Sequence, residues 1–142
     1  MKKQIAAVTL LALLVFTVAG CVTAKGPSDE EMVKSAANTF IQGLISKNPD
    51  AALTVVSPEF YHADAGDKAG LRNFIADAID SGYLDDAEAD TSSVEYTIDA
   101  EKGAAKVYPV VINSAAGSAT MGINLTKKDG AWAITGLDIE GV

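Results

Sequence analysis

The sequence of 142 residues contains few of the residue types that disulfides, metal clusters and nucleic-acid sites require. It contains one cysteine and one histidine, which excludes an internal disulfide and a zinc site built from several Cys and His ligands. Its 11 Lys and Arg residues are outnumbered by 19 Asp and Glu residues, so the basic surface that binds phosphate is lacking and nucleic acid is not an expected partner. Phosphate-binding glycine loops and nucleophile-elbow motifs are absent as well. The sequence therefore predicts no metal and no cofactor.

Long apolar runs are confined to the N-terminus. Met1–Lys3 carries two positive charges, and Ile5–Gly20 is apolar except for Thr9 and Thr17. The run is shorter than the roughly 20 residues that a membrane-spanning helix needs. A secretory signal peptide at residues 1–20 is thus favoured over an uncleaved membrane helix.

The residues Val18-Ala19-Gly20-Cys21 resemble the bacterial lipobox, in which small side chains precede a cysteine that receives a diacylglyceryl group. The resemblance implies cleavage between Gly20 and Cys21 and lipidation of Cys21, whereas the alternative is a small apolar residue in an ordinary signal segment. Two or more acyl chains of the palmitate type hold a protein stably on a membrane. Residues 22–27 would be a tether of at most about 20 Å. We expect an extracytoplasmic protein anchored to the cell membrane or the outer membrane.

Residues 28–142 are the size of one domain. Residues 1–20 hold two lysines and no acids, so the remaining chain has nine basic and 19 acidic side chains and a net charge of −10. Capping signals predict three helices in its first half: Ser28 and Glu31 form a capping box, Asn48 can cap a second helix, and Asp67 can cap a third. The predicted helices run from Asp29 to about Asn48, from Pro49 to about Val56, and from Asp67 to about Gly82.

The second half of the domain changes to a period of two, which predicts strands. The acidic stretch Asp85–Asp90 lacks the glycine and the distal glutamate of a calcium loop, so we interpret it as a solvated linker. Pro109 indicates a bulge or an edge position, and Gly136 is expected to shift the alternation of the last strand by a bulge. The predicted fold is α+β, with N-terminal helices packed on a curved four-stranded antiparallel meander.

At this point the chain resembles the nuclear transport factor 2-like superfamily, a cone-shaped fold that includes ketosteroid isomerase-like enzymes. A cystatin-like fold is the alternative, and one long helix without a second or third would favour it. The resemblance implies a cavity between the sheet and the helices. It is carried by Phe40-Ile41-Gln42-Gly43-Leu44, Asn48-Pro49-Asp50-Ala51-Ala52-Leu53, Ser57-Pro58-Glu59-Phe60 and Lys128-Asp129-Gly130-Ala131-Trp132-Ala133-Ile134.

Two groups of residues are candidates for a site. Tyr61, His62 and Asp64 form the densest polar cluster beside apolar residues, where His62 and Asp64 could act in acid–base chemistry or help to hold a metal. The alternative is an exposed loop. Aromatic strand residues could line a cavity with polar tips, or they could belong to the sheet core or edge. These are Tyr96, Tyr108 and Trp132.

The leading functional hypothesis is a membrane-anchored, non-enzymatic module that binds a small molecule, a peptide or an envelope protein. The second is an isomerase- or hydratase-like enzyme that uses polar groups in the cone cavity. The third is a structural or envelope-assembly protein in which the sheet mediates homodimerisation. A deep apolar cavity with converging polar groups would favour an enzyme, and a filled cone would favour partner binding.

Overall fold

The computed structural model describes residues 26–141. The predicted signal segment, Cys21 and most of the predicted tether lie outside the described residues, so the structure does not test the predictions made for them. Within residues 26–141, every helix is too short or too polar to cross a bilayer.

Three helices in the described chain begin where the capping signals predict. Helix α1 spans Asp29–Ile45, and the capping box is formed: Ser28 Oγ accepts from the Glu31 amide at 3.2 Å, while the Ser28 amide donates to Glu31 Oε2 at 2.8 Å. Helices α2 and α3 are capped by Asn48 and Asp67, whose side chains accept amides at 3.1 and 2.9 Å. They span Pro49–Leu53 and Lys68–Asp80.

Helix α2 ends earlier than the predicted Val56 because the next residues pair with the sheet. The amide of Ile134 donates to the Val55 carbonyl at 2.8 Å, and the amide of Ser57 donates to the Ile134 carbonyl at 2.8 Å. In a continuing helix the Ser57 amide would donate to the Leu53 carbonyl, so its hydrogen bond to Ile134 ends the helical pattern.

The described chain contains one open antiparallel sheet of five strands, one more than predicted. The last three strands form a meander, and the first two strands share the other edge of the third. The interpretation of Asp85–Asp90 as a linker was wrong in its second half. Ala89 pairs with Ile112 there, and only the carboxylates of this short strand are exposed. The strands are β1 Glu88–Asp90, β2 Glu95–Asp99, β3 Ala104–Ser114, β4 Gly117–Lys128 and β5 Ala131–Glu140.

The sheet register shifts at Gly136, where a bulge was predicted, and at Pro109, where a bulge was one of the two alternatives. The register of β3 against β4 shifts between Val107 and Val110, which is where Pro109 lies. On its other edge, β3 pairs with β2 up to Tyr108 and with β1 from Val111, so Pro109 occupies the gap between two partners. The register of β4 against β5 shifts next to Gly136.

Helix α1 packs along the sheet and runs from one end of it to the other. Its first turn contacts the end formed by the β4–β5 turn, where Asp29 meets Lys127 and Trp132. Its last turns reach the opposite end, formed by the β3–β4 turn and the C-terminal residues of β5. The most deeply buried large side chains lie between helices and sheet: Phe40, Leu71, Ile123, Leu125, Ile134, Val33, Val107 and Val110.

Candidate ligand cavity

A cavity of about 670 Å³ lies between α3, the last turns of α1 and the end of the sheet that carries the β3–β4 turn. Its walls are mostly apolar. Helix residues supply one side and residues of β3, β4 and β5 supply the other. The apolar lining consists of Phe40, Leu44, Leu71, Phe74, Ile75, Ala78, Leu84, Ile112, Ala119, Met121, Leu137 and Ile139.

Part of the sheet side of the cavity is lined by small residues. The stretch from Ala116 through Gly117 and Ser118 to Ala119 lines the sheet side and contributes no side chain larger than serine. On the opposite side, α3 buries Leu71 and Ile75 but leaves Phe74 41% exposed. Large side chains at the small positions would fill this space, as they do in a close-packed interior.

His62 lies in the cavity wall and is fixed by a tight turn. Its backbone exchanges two hydrogen bonds with Gly66, each 2.8 Å long. Its ring Nδ1 accepts hydrogen bonds from the amides of Asp64 and Ala65, both at 3.2 Å. Because amides can only donate, Nδ1 is unprotonated and the proton of the neutral ring is on Nε2. In this arrangement His62 can donate a hydrogen bond to a ligand, but it has no accessible lone pair with which to act as a general base.

The remaining polar lining of the cavity is acidic or uncharged. Asp64, on the loop before α3, and Asp77, on α3, contribute carboxylates, and the described lining includes no Lys or Arg. The ring of Phe74 lies near His62, with centroids 6.4 Å apart, and the Tyr83 side chain is 54% exposed. The cavity therefore combines an apolar interior with negative charge and exposed aromatic rings.

A second, smaller concavity of about 380 Å³ lies beside the first one. It is lined by residues 61–63 and by residues 137–140 at the end of β5. Tyr61 is 70% exposed there, and His62 lines both spaces. Of the predicted polar cluster, the structure thus brings His62 and Asp64 to the main cavity and Tyr61 to its neighbour.

The three aromatic strand residues lie away from both cavities. Trp132 is buried at the opposite end of the sheet. Tyr96 on β2 is half-buried, with Lys34 Nζ 5.1 Å from its ring centroid. Tyr108 on β3 is 40% exposed, with Lys106 Nζ 5.5 Å from its ring centroid.

Metal coordination finds no support in the described part of the chain. Across residues 26–141, no three His, Cys, Asp or Glu side chains are grouped closely enough to hold a metal ion. His62 and Asp64 are joined through the Asp64 amide rather than through the carboxylate.

The comparison of the sequence with protein-family profiles and with curated proteins gives no match. Solved structures do match over most of the domain. A protein of unknown function with a cystatin-like fold from Nostoc punctiforme has a TM-score of 0.63 at 17% identity, covering 79% of this chain and 90% of its own.

Two further structures show the same fold. A cystatin-like protein from Caulobacter vibrioides has a TM-score of 0.64 at 9% identity, covering 80% of this chain and 89% of its own. An NTF2-like protein of unknown function from Shewanella baltica has a TM-score of 0.59 at 14% identity, covering 82% and 100%. At these identities the likeness shows the fold alone, the predicted α+β arrangement of helices on a curved antiparallel sheet.

Proposed function

We propose that this chain is a lipid-anchored, extracytoplasmic binding protein whose domain holds a small molecule with an apolar body in the main cavity. The cavity itself carries the proposal, because about 670 Å³ of mostly apolar space with a few polar groups at its wall is typical of small-molecule sites. His62 supports binding rather than base catalysis, because two amides occupy its Nδ1.

Binding can be tested with Nile red, a neutral dye whose fluorescence rises in apolar surroundings. The full chain is used with Cys21→Ser, so that no acyl chain of the protein itself competes for the cavity. We expect saturable fluorescence with this chain and its loss after Ala119→Trp, which fills the cavity. The matched control is Ala131→Trp, an exposed strand position at the other end of the sheet. Equal dye binding by both Trp variants would refute the cavity as the site.

The anchor can be tested separately by metabolic labelling with a fatty-acid analogue. The apolar run and the lipobox-like residues that end at Cys21 support lipidation of its thiol. We expect the wild-type chain to be labelled and to sediment with membranes, and the Cys21→Ser chain to lose the label. Equal labelling of both chains would exclude this anchor.

A second candidate is an isomerase- or hydratase-like enzyme in which His62 Nε2 donates a hydrogen bond to a developing oxyanion. The position of His62 in the cavity wall favours it, since its ring is fixed by internal hydrogen bonds. Substituted phenols serve as oxyanion mimics. If this candidate holds, affinity rises as the phenol becomes more acidic, and His62→Ala removes that trend. A cavity that rejects phenolates excludes it.

A further inference from the structure

We propose that the main cavity selects a ligand with a cationic head, such as an organic ammonium group, attached to an apolar body. This inference rests on the proposed binding function and specifies the class of ligand. It follows from the charges, the helix ends and the aromatic rings that face the cavity.

The charged groups of the cavity wall have one sign. Asp64 and Asp77 are the carboxylates of the described lining, and none of its members is Lys or Arg. The ring of His62 also lines the cavity, with its Nδ1 accepting from two amides. A carboxylate or sulfate ligand would meet like charges here without a cation to pair with, whereas an ammonium group would meet opposite charges.

The C-terminal ends of two helices add to the negative electrostatic potential at the cavity. The C-terminal residues of α1 and of α3, which include Leu44 and Ala78, line the cavity. The C-terminus of a helix carries a partial negative charge, and it favours a nearby cation. Neither helix has a basic residue in its last turn, and Lys47, which follows the C-cap of α1, is paired with Asp85.

Two aromatic side chains in the cavity wall also favour a cation. Phe74 and Tyr83 line the cavity with side chains that are 41% and 54% exposed. The negative face of such a ring attracts ammonium groups, and quaternary ammonium ligands are commonly recognised in this way. The buried apolar wall formed by Leu71, Ile75 and Met121 would hold the body of the ligand.

The experiment compares three probes with the same decyl chain and different heads: decyltrimethylammonium, decyl glucoside and decyl sulfate. Each is titrated below its micelle concentration into the full chain carrying Cys21→Ser, and heat is measured by calorimetry at low salt. We expect decyltrimethylammonium to bind most tightly and decyl sulfate least tightly.

Two variants and a matched control assign the preference to the cavity. Asp77→Asn should weaken decyltrimethylammonium binding by about two- to fivefold, the range measured for exposed ion pairs, and leave decyl glucoside unchanged. Phe74→Leu, which keeps an apolar side chain but removes the ring, should also weaken the cation selectively. Asp80→Asn removes the same charge from α3 at an exposed position outside the lining, so it should have no effect.

The outcomes separate the ligand class from the binding function. If decyl glucoside or decyl sulfate binds as tightly as the cation, or if Asp80→Asn weakens the cation as much as Asp77→Asn does, the cationic class is wrong and binding stands. If none of the three probes binds, the proposed binding function fails and this inference fails with it.

Discussion

Asp29 joins parts of the chain that are far apart in sequence. Its Oδ1 accepts hydrogen bonds from Lys127 Nζ at 2.7 Å and from Trp132 Nε1 at 2.8 Å. The hydrogen bond from Lys127 lowers the pKa of Asp29 most, and the one from Trp132 lowers it further. One carboxylate therefore connects the first turn of α1 to both strands of the last hairpin.

The first prediction concerns the pH dependence of this contact. A carboxylate whose pKa is lower in the folded state stabilises the fold above its unfolded pKa of about 4, and this contribution is lost as the pH falls through the folded pKa. Asp29→Asn should therefore be less stable than wild type near neutral pH, and the difference should shrink in acid. Urea unfolding across a pH series measures it. Asp80→Asn is the control for charge alone, and a difference that is constant with pH would contradict the prediction.

Local contacts of single residues could be predicted from the sequence, whereas distant ones could not. The capping box needs only Ser28 and Glu31 three positions apart, so the spacing itself predicts it. The partners of Asp29 lie 98 and 103 residues away. No local sequence pattern indicates such a pairing. The sequence therefore could not show whether Trp132 lines a cavity or belongs to the sheet core.

At the level of elements, α1 and α2 approach each other closely at Gly43. A Cβ atom built on Gly43 would lie 2.5 Å from the Ala52 nitrogen and 2.6 Å from its Cα and Cβ. Two of these atoms belong to the backbone, so a side-chain rotation cannot relieve the overlap. The short helix α2 packs against α1 at this glycine, where Ala52 is fully buried.

The second prediction tests this crossing. Gly43→Ala should destabilise the fold by about 1–3 kcal/mol, the usual cost of overpacking a close-packed interior. An ordinary Gly to Ala change within a helix stabilises instead, so the sign is informative. The free energy of unfolding in urea measures the effect, with Gln42→Ala at the exposed neighbouring position as the control. A Gly43→Ala protein as stable as wild type would contradict it.

Elements with a long periodic pattern were predictable, and the exceptions have physical reasons. The three helices and the four longer strands follow from caps and from alternation. Strand β1 has three residues, too few for a period of two to be distinguished from an acidic loop. The end of α2 depends on its pairing with Ile134, a tertiary contact that the local sequence does not contain.

For the whole molecule, the cavity and the start of the domain lie at opposite ends. Helix α1 begins after Ser28, beside the β4–β5 turn, and Leu44 lines the cavity sixteen residues later. At 1.5 Å per residue, these two points are about 24 Å apart. If the chain is anchored through Cys21 as proposed, the tether joins the domain at the end remote from the cavity.

The third prediction is that the cavity points away from the membrane. In the lipidated protein the thiol of Cys21 is consumed, so an introduced cysteine can be labelled alone with a fluorophore. We expect a label at Ala131→Cys, near the β4–β5 turn, to be quenched by lipid head-group quenchers in vesicles more than a label at Ala116→Cys. Both positions are exposed alanines. Stronger quenching at position 116 would place the cavity against the bilayer.

The existence of a cavity could be predicted from the resemblance, but most of the residues in its walls could not. The resemblance implied a space between helices and sheet, and His62 and Asp64 were candidates for a site, with an exposed loop as the alternative. The small residues from Ala116 to Ala119 are typical of any turn, so the sequence gives no sign that they line a cavity. Periodicity shows which face of α3 is apolar, but it cannot show how far that helix stands from the sheet.

The Asp29 contact also determines how the domain would carry mechanical load. A pull on the chain ahead of Ser28 reaches the fold at the first turn of α1, where Lys127 and Trp132 hold Asp29. Part of the force on that turn would pass through the Asp29 side chain to the β4–β5 hairpin, and the rest would pass along the backbone of α1. The cavity end lies about 24 Å further along the same helix. Loss of the Asp29 contact would leave the backbone of α1 to carry such a pull toward the cavity.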